Sequence, residues 1–313
     1  MPAGLTTVRD CFVGMFHYVR PIYGGSGKKG LTVDEFDELL IRLRKVVDFV
    51  EPERLARDSP WSDNGEQTRP KLLLTFDDGL RDHYQFAAPI LEKHGLRGVF
   101  FVNSQQYQLN CPLPIHRWHS IRDAVPDANM NSLFATLLAS RGAKERNVNS
   151  AVRWDNGAVA QLKYEFNYVM TEQEKLALVV DLEDKLSLRP PNVREIYMSR
   201  GELMDLVSRG HWVCSHSHSH ACLSLLTKTQ MYDDLAQSLD FISSIGGEGR
   251  VFAYPFGKPQ SYNSVVQECL VSLGIRVAFS SSPKNQFEAA NPLAAPRLDP
   301  KDLMIQLAHW EAS

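Results

Sequence analysis

The sequence predicts an α/β protein built on parallel strands, and three observations carry that expectation. Short apolar runs such as Leu72-Leu73-Leu74-Thr75-Phe76 and Val99-Phe100-Phe101-Val102 read as strands buried on both faces. Helical patterns lie between them, and strand, helix, strand in that order calls for a right-handed crossover to a parallel neighbour. The chain, at 313 residues, has the length of one large α/β barrel or two modest domains.

Each element follows from local chemistry. Residues 11–19 read as a buried strand with His17 near its C-terminal end. The glycine-rich stretch 23–30 resembles a phosphate-binding loop, but Ile22 and Lys29 stand where that motif needs Gly and Ser or Thr, so a flexible loop is expected. Thr32 with Glu35 forms a capping box, and Phe36, Leu39, Leu40, Leu43, Val46, Val47 and Val50 share one stripe of the helix that follows. A polar loop over 51–70 leads into the Leu72 strand. A helix over 80–93 and a strand over 96–103 come next. After residue 195 the alternation resumes: helix to 207, strand 210–214, helix 227–245, strand 251–254, helix 262–273, strand 276–280. Pro296-Arg297-Leu298 and a helix over 301–310 close the chain.

Residues 104–195 break the alternation. Helical patterns near 133–139 and 172–188, the latter opened by Thr171 and Glu174, suggest a mostly helical insertion packed over one rim of a single domain spanning 1–313. Its aromatics Trp118, Trp154, Tyr164 and Phe166 are expected to pack the insertion rather than to line a substrate pocket.

Composition excludes several classes of function. Hydrophobic content of 43% and charged content of 23% are those of an ordinary soluble protein. A net charge of −3 and a pI near 6.4 offer no basic face to nucleic acid or anionic lipid. The five cysteines are odd in number and contain no Cys-x-x-Cys pair, which suits a reducing compartment. No window approaches the roughly 18 apolar residues of a membrane span, and the first residues lack the pattern of an export signal. The expected location is the cytoplasm.

Two stretches carry chemistry. Asp77-Asp78 closes the Leu72 strand and is followed at once by Gly79, which delivers two carboxylates to the rim of the sheet. Adjacent carboxylates resist ionising together unless a cation or proton separates them, and successive strand residues point to opposite faces. His216-Ser217-His218-Ser219-His220 also follows a strand. An Asp with two His would hold a metal and leave positions open for water and substrate. If the strand continued, all three histidines would share a face; if a helix began, His216 and His220 would align at i, i+4 and His218 would point away.

Thr75-Phe76-Asp77-Asp78-Gly79, His216-Ser217-His218-Ser219-His220 and Phe252-Ala253-Tyr254-Pro255-Phe256-Gly257 together resemble the first three motifs of the polysaccharide deacetylases, the NodB-homology proteins of carbohydrate esterase family 4. The resemblance implies a distorted (β/α)7-type barrel and, as cofactor, Zn2+ or another divalent transition metal. It implies Asp78, His216 and His220 as metal ligands, Asp77 as general base, and the Phe256 N–H as an oxyanion donor. His218 falls at the family's variable position.

The sequence departs from the pattern twice. Ala253 stands where the third motif has a base-orienting Arg, for which Arg297 is a candidate from another strand. The C-terminal motif that supplies a general acid is not evident, since His309 lies on an expected helix. Met15-Phe16-His17 has that form at the opposite end, as in the circularly permuted branch of the family, which makes His17 the candidate acid. A closed barrel lets either terminus supply that strand.

The function implied is removal of an acetyl or formyl group from an N-acylated amino sugar, nucleotide- or lipid-linked, in the building of a surface polysaccharide such as O-antigen. Two readings compete: an amidase acting on a non-sugar amide, and a catalytically silent carbohydrate-binding protein with the same fold.

Overall fold

The apolar runs fold into parallel strands whose order brings the rim residues together. The computed structural model describes residues 11–23, 30–57, 69–140, 157–281 and 291–312. The glycine-rich stretch 24–29, most of the polar loop before β5 and Trp154 lie outside the described residues. The strands are β1 (Cys11–Phe16), β2 (Tyr18–Arg20), β3 (Gly30–Thr32), β4 (Asp48–Phe49), β5 (Lys71–Phe76), β6 (Val99–Val102), β7 (Trp212–Ser215), β8 (Val251–Ala253) and β9 (Val277–Phe279).

The main sheet runs β1-β5-β6-β7-β8-β9, every pairing parallel, with β4 beside the start of β5; β2 and β3 form a small separate ladder. The segment before the last helix bridges the two edges of the sheet. Ala295 pairs with Phe279, and Leu298 pairs with Gly14. The Leu298 N–H donates to Val13 O at 2.8 Å, and the Met15 N–H returns a bond to Leu298 O at 2.8 Å. The sheet therefore curls into a distorted barrel, and Arg297 sits at the seam.

Strand alternation divides the core into two layers. Leu72, Leu74 and Phe76 of β5 pack outward under the helices, whereas Leu73 faces Val13, Val99, Phe101, Cys214, Val251 and Phe279 inside the barrel. The inward row of β5 continues through Thr75 to Asp77. The first helix, Val33–Val46, has the expected Thr32–Glu35 capping box and buries Phe36, Leu39, Leu40 and Leu43. Each such side chain contributes about 2 kcal/mol of apolar burial.

Some boundaries differ from expectation. The first helix ends at Val46; of the rest of its predicted stripe, Val47 is the C-cap and Val50 lies beyond β4, its N–H donating to Leu72 O. Pairing with β5 outweighs the modest helix propensity of valine there. The predicted helix over 80–93 divides into a π-turn segment, His83–Ala87, and a regular segment, Ala88–Lys93. Between β6 and β7 two long helices appear that periodicity did not reveal, Pro114–Ala124 and Gly157–Tyr168. They join Asp127–Ser140 and Glu172–Leu186 around a core in which Trp118 stacks on Phe134 and Phe166. On leaving this helical layer the chain passes beside the end of β5: Tyr197 bridges Leu80, and the Met198 N–H donates to Gly79 O at 3.0 Å.

Candidate active site

The β5 rim depends on a sharp local turn. The Asp77 N–H donates to Phe16 O at 2.9 Å, which extends the β1–β5 ladder by one rung. Asp78 and Gly79 then take positive φ values of 77° and 64°. A side chain at Gly79 would place Cβ 2.9 Å from Val102 Cγ1, so glycine is required by both backbone and space. The turn keeps Asp77 on the inward row and swings Asp78 toward β7.

Arg297 reaches Asp77 from the seam. Its Nη1 and Nη2 donate to Asp77 Oδ1 and Oδ2 at 2.7 and 2.6 Å, and its Nε–H donates to Ser280 O at 3.1 Å. The guanidinium lies near the rings of Phe101 and Phe279, which fixes its plane. Burial raises the Asp77 carboxyl, but the charge and hydrogen bonds of Arg297 outweigh it and hold the group below its ordinary value.

The histidines after β7 follow neither simple continuation. Ser217 and His220 have φ values of 67° and 59°, so the segment is a turn, not a strand or helix. Buried Asp234 fixes it by accepting the N–H groups of His218 and Ser219 at 2.9 and 3.0 Å. Ser217 Oγ accepts the His220 N–H at 3.1 Å. His216 uses Nδ1 to bond Ala253 O at 2.7 Å, which leaves Nε2 for the site. The His218 ring turns elsewhere and meets Ser104 Oγ at 2.7 Å.

The turns converge on Asp78. Its Oδ1 is 3.5 Å from His216 Nε2 and 3.3 Å from His220 Nε2, and all three residues are buried. Tetrahedral ligands bonded at roughly 2.1 Å would be about 3.4 Å apart, so this spacing suits a zinc-like ion. Asp78 Oδ1 is also a buried oxygen with no hydrogen-bond partner among the described residues, as a cation ligand would be. Burial raises this carboxyl, yet His116 and His220 overcome it and hold the group well below the carboxylate range. Burial pushes His216 down to about 4, leaving it neutral with a free lone pair.

Other candidate residues stand around this centre. His17 follows β1, one rung beyond the Phe16–Phe76 pair. Its carbonyl is bonded by the buried ring of His83. Phe256 has a φ of 61° and packs its ring edge-on against His220 at 4.7 Å. Its N–H donates to no group among the described residues. His309 is exposed on the last helix, remote in role from this cluster. Trp118 and Phe166 serve the core of the helical layer, as expected of them, and Tyr164 packs on Tyr168.

Sequence reasoning missed His116. It lies on the helix Pro114–Ala124, is buried, and its Nε2 is 3.3 Å from Asp78 Oδ2. Its Nδ1 is 2.6 Å from the Tyr197 hydroxyl. The available signal was Leu113-Pro114-Ile115-His116-Arg117-Trp118-His119, a proline-started helix with histidines at i and i+3. A cavity of about 90 Å3 adjoins His116 and is lined also by Tyr18, Arg20, Asp82 and Glu195.

The rim thus carries a clamped carboxylate beside a buried Asp-His-His cluster, the arrangement that the resemblance to the polysaccharide deacetylases implied. Residues 64–129 and 189–278 match the polysaccharide deacetylase family, and the chain belongs to that family. Among solved structures it is similar to the deacetylase PplD of Streptococcus pyogenes in complex with acetate, at TM-score 0.59 and 15% identity over 95% of this chain and 98% of that one. It is also similar to IcaB from Ammonifex degensii, at TM-score 0.59 and 18% identity over 97% of each chain. A de-N-acetylase from Aggregatibacter actinomycetemcomitans aligns at TM-score 0.55 and 13% identity over 92% of this chain and 94% of that one. These identities speak for a shared fold. No curated protein matches the chain in sequence.

Proposed function

We propose that the chain is a metal-dependent N-deacetylase or N-deformylase of an amino sugar. The observation that carries this reading is the pairing of an Arg-clamped Asp77 with the buried Asp78-His216-His220 cluster one residue away. A divalent ion such as zinc, held by that cluster, would supply a Lewis acid that acidifies water and polarises the acyl carbonyl.

The chain's own groups carry the proton transfers. Asp77, kept ionised by Arg297, accepts a proton as water oxygen bonds to the acyl carbon. The Phe256 N–H is assigned as donor to the charge that develops on the carbonyl oxygen, a contribution commonly worth about 3 kcal/mol. His17 gives a proton to the sugar nitrogen as the C–N bond breaks, in the manner of the permuted branch. The products are a carboxylate and a free amine; of the two water protons, one on Asp77 and one on the nascent acid, one restores His17 and the other passes to solvent.

The substrate proposed is a nucleotide- or lipid-linked acylamino sugar on the way to a surface polysaccharide such as O-antigen, handled in the cytoplasm. The five scattered cysteines, odd in number and without a Cys-x-x-Cys pair, suit a reducing compartment. Asp77, Asp78, His216 and His220 are each at most 5% exposed, and that enclosure favours a small or chain-end sugar over the interior of a polymer. The test is acetate release by zinc-loaded protein from N-acetylhexosamine conjugates and from poly-N-acetylglucosamine. Release from the small conjugates, abolished by chelation, is expected. Release that chelation leaves unchanged, or none from any acylated sugar, contradicts the reading.

A further inference from the structure

We propose that His116, supplied by the helical layer between β6 and β7, is a positioning residue for Asp78. Its Nε2, 3.3 Å from Oδ2, would donate to that oxygen once Oδ1 is taken by an ion with His216 and His220. This rests on the metal-dependent reading above.

The hydrogen-bond inventory around Tyr197 sets the imidazole tautomer. The Tyr197 hydroxyl accepts the Leu113 N–H at 3.1 Å and lies 2.6 Å from His116 Nδ1. Both residues are buried, so the hydroxyl proton needs an acceptor. Nδ1 is the acceptor at hand, and a ring that accepts at Nδ1 carries its proton on Nε2. That atom is buried, has no formed hydrogen bond among the described residues, and is 3.3 Å from Asp78 Oδ2. His216 and His220 approach the other oxygen, Oδ1. A protonated Nε2 cannot ligate a metal but can steady the carboxylate that does. The bridge between Leu80 and Tyr197 ties this support to the β5 turn itself.

The experiment measures zinc affinity by chelator competition, and Co2+ absorption in the visible range, for wild type, His116→Ala and His116→Gln. Circular dichroism and the melting midpoint of the metal-free proteins verify folding. Support for a metal ligand by an outer group is typically worth 10–100-fold in affinity. His116→Ala is expected to weaken zinc binding by that factor with its Co2+ band shape preserved. His116→Gln, whose amide can donate to Oδ2, is expected to recover part of the loss. Folded His116→Ala and His116→Gln that bind zinc as wild type does would overturn the proposal. So would a Co2+ spectrum showing that a nitrogen ligand has been lost. Failure of wild type to bind any divalent ion would instead defeat the metal-dependent reading.

Discussion

Arg297 grips both oxygens of Asp77, at 2.7 and 2.6 Å, across 220 residues of sequence. Both side chains are buried. Removing one partner would leave an uncompensated charge where water cannot reach. Arg297→Ala is expected to lower stability by about 3–5 kcal/mol. Arg297→Lys keeps the charge but not the fork, so it should fold better while losing deacetylation on the order of 100-fold. Urea melts and acetate release measure the two effects, and equal behaviour of the two variants would contradict the role.

Acid should weaken the metal-free protein in two ways. Asp77 has a folded pKa below its unfolded value, so its contribution is complete above about pH 4 and is lost as pH falls through the lowered folded value. Burial lowers His83 to about 4 from 6.5. Between those values the unfolded chain binds the extra proton, so stability falls as pH drops from 6.5 to 4, by roughly 3 kcal/mol from this group. His83→Phe removes that titration and also the bond to His17 O. The stability gap between wild type and variant should narrow from pH 7.5 to pH 5 in urea melts; a constant gap would contradict it.

Gly79→Ala tests the turn that aims Asp78. It combines a φ of 64° with a Cβ only 2.9 Å from Val102. A loss of about 1–3 kcal/mol in thermal unfolding is expected, together with weaker metal binding. An unchanged melting midpoint would mean that the turn relaxes freely.

His17→Ala should lower deacetylation by about 100–10,000-fold, the usual worth of a general acid, without altering zinc affinity. Full activity in that variant would move the acid role to another residue. Equal loss of zinc would show instead that His17 belongs to the metal set.

The local parts of the site were legible in sequence. A strand that ends in Asp77-Asp78-Gly79 carries its geometry with it, because alternation and a glycine turn are short-range effects. His216 and His220 were legible as residue types, but their arrangement was not, since Ser217 and His220 adopt left-handed angles stabilised by Asp234, which lies on a later helix. Arg297 could be named only as a candidate, because barrel closure, not spacing, brings it to Asp77. His116 was missed for the same reason: its partner Tyr197 is 81 residues away, and no motif links them. The end of the first helix at Val46 was set by pairing of the following residues with β5, a tertiary contact that a helical stripe does not record.

The most direct test is a calorimetric titration of metal-free protein with zinc. One ion per chain is predicted for wild type, Asp77→Asn and His218→Ala, and none at comparable affinity for His220→Ala. Wild type that takes up no ion, or His220→Ala that binds as wild type does, would contradict the proposed metal centre and the hydrolysis built on it.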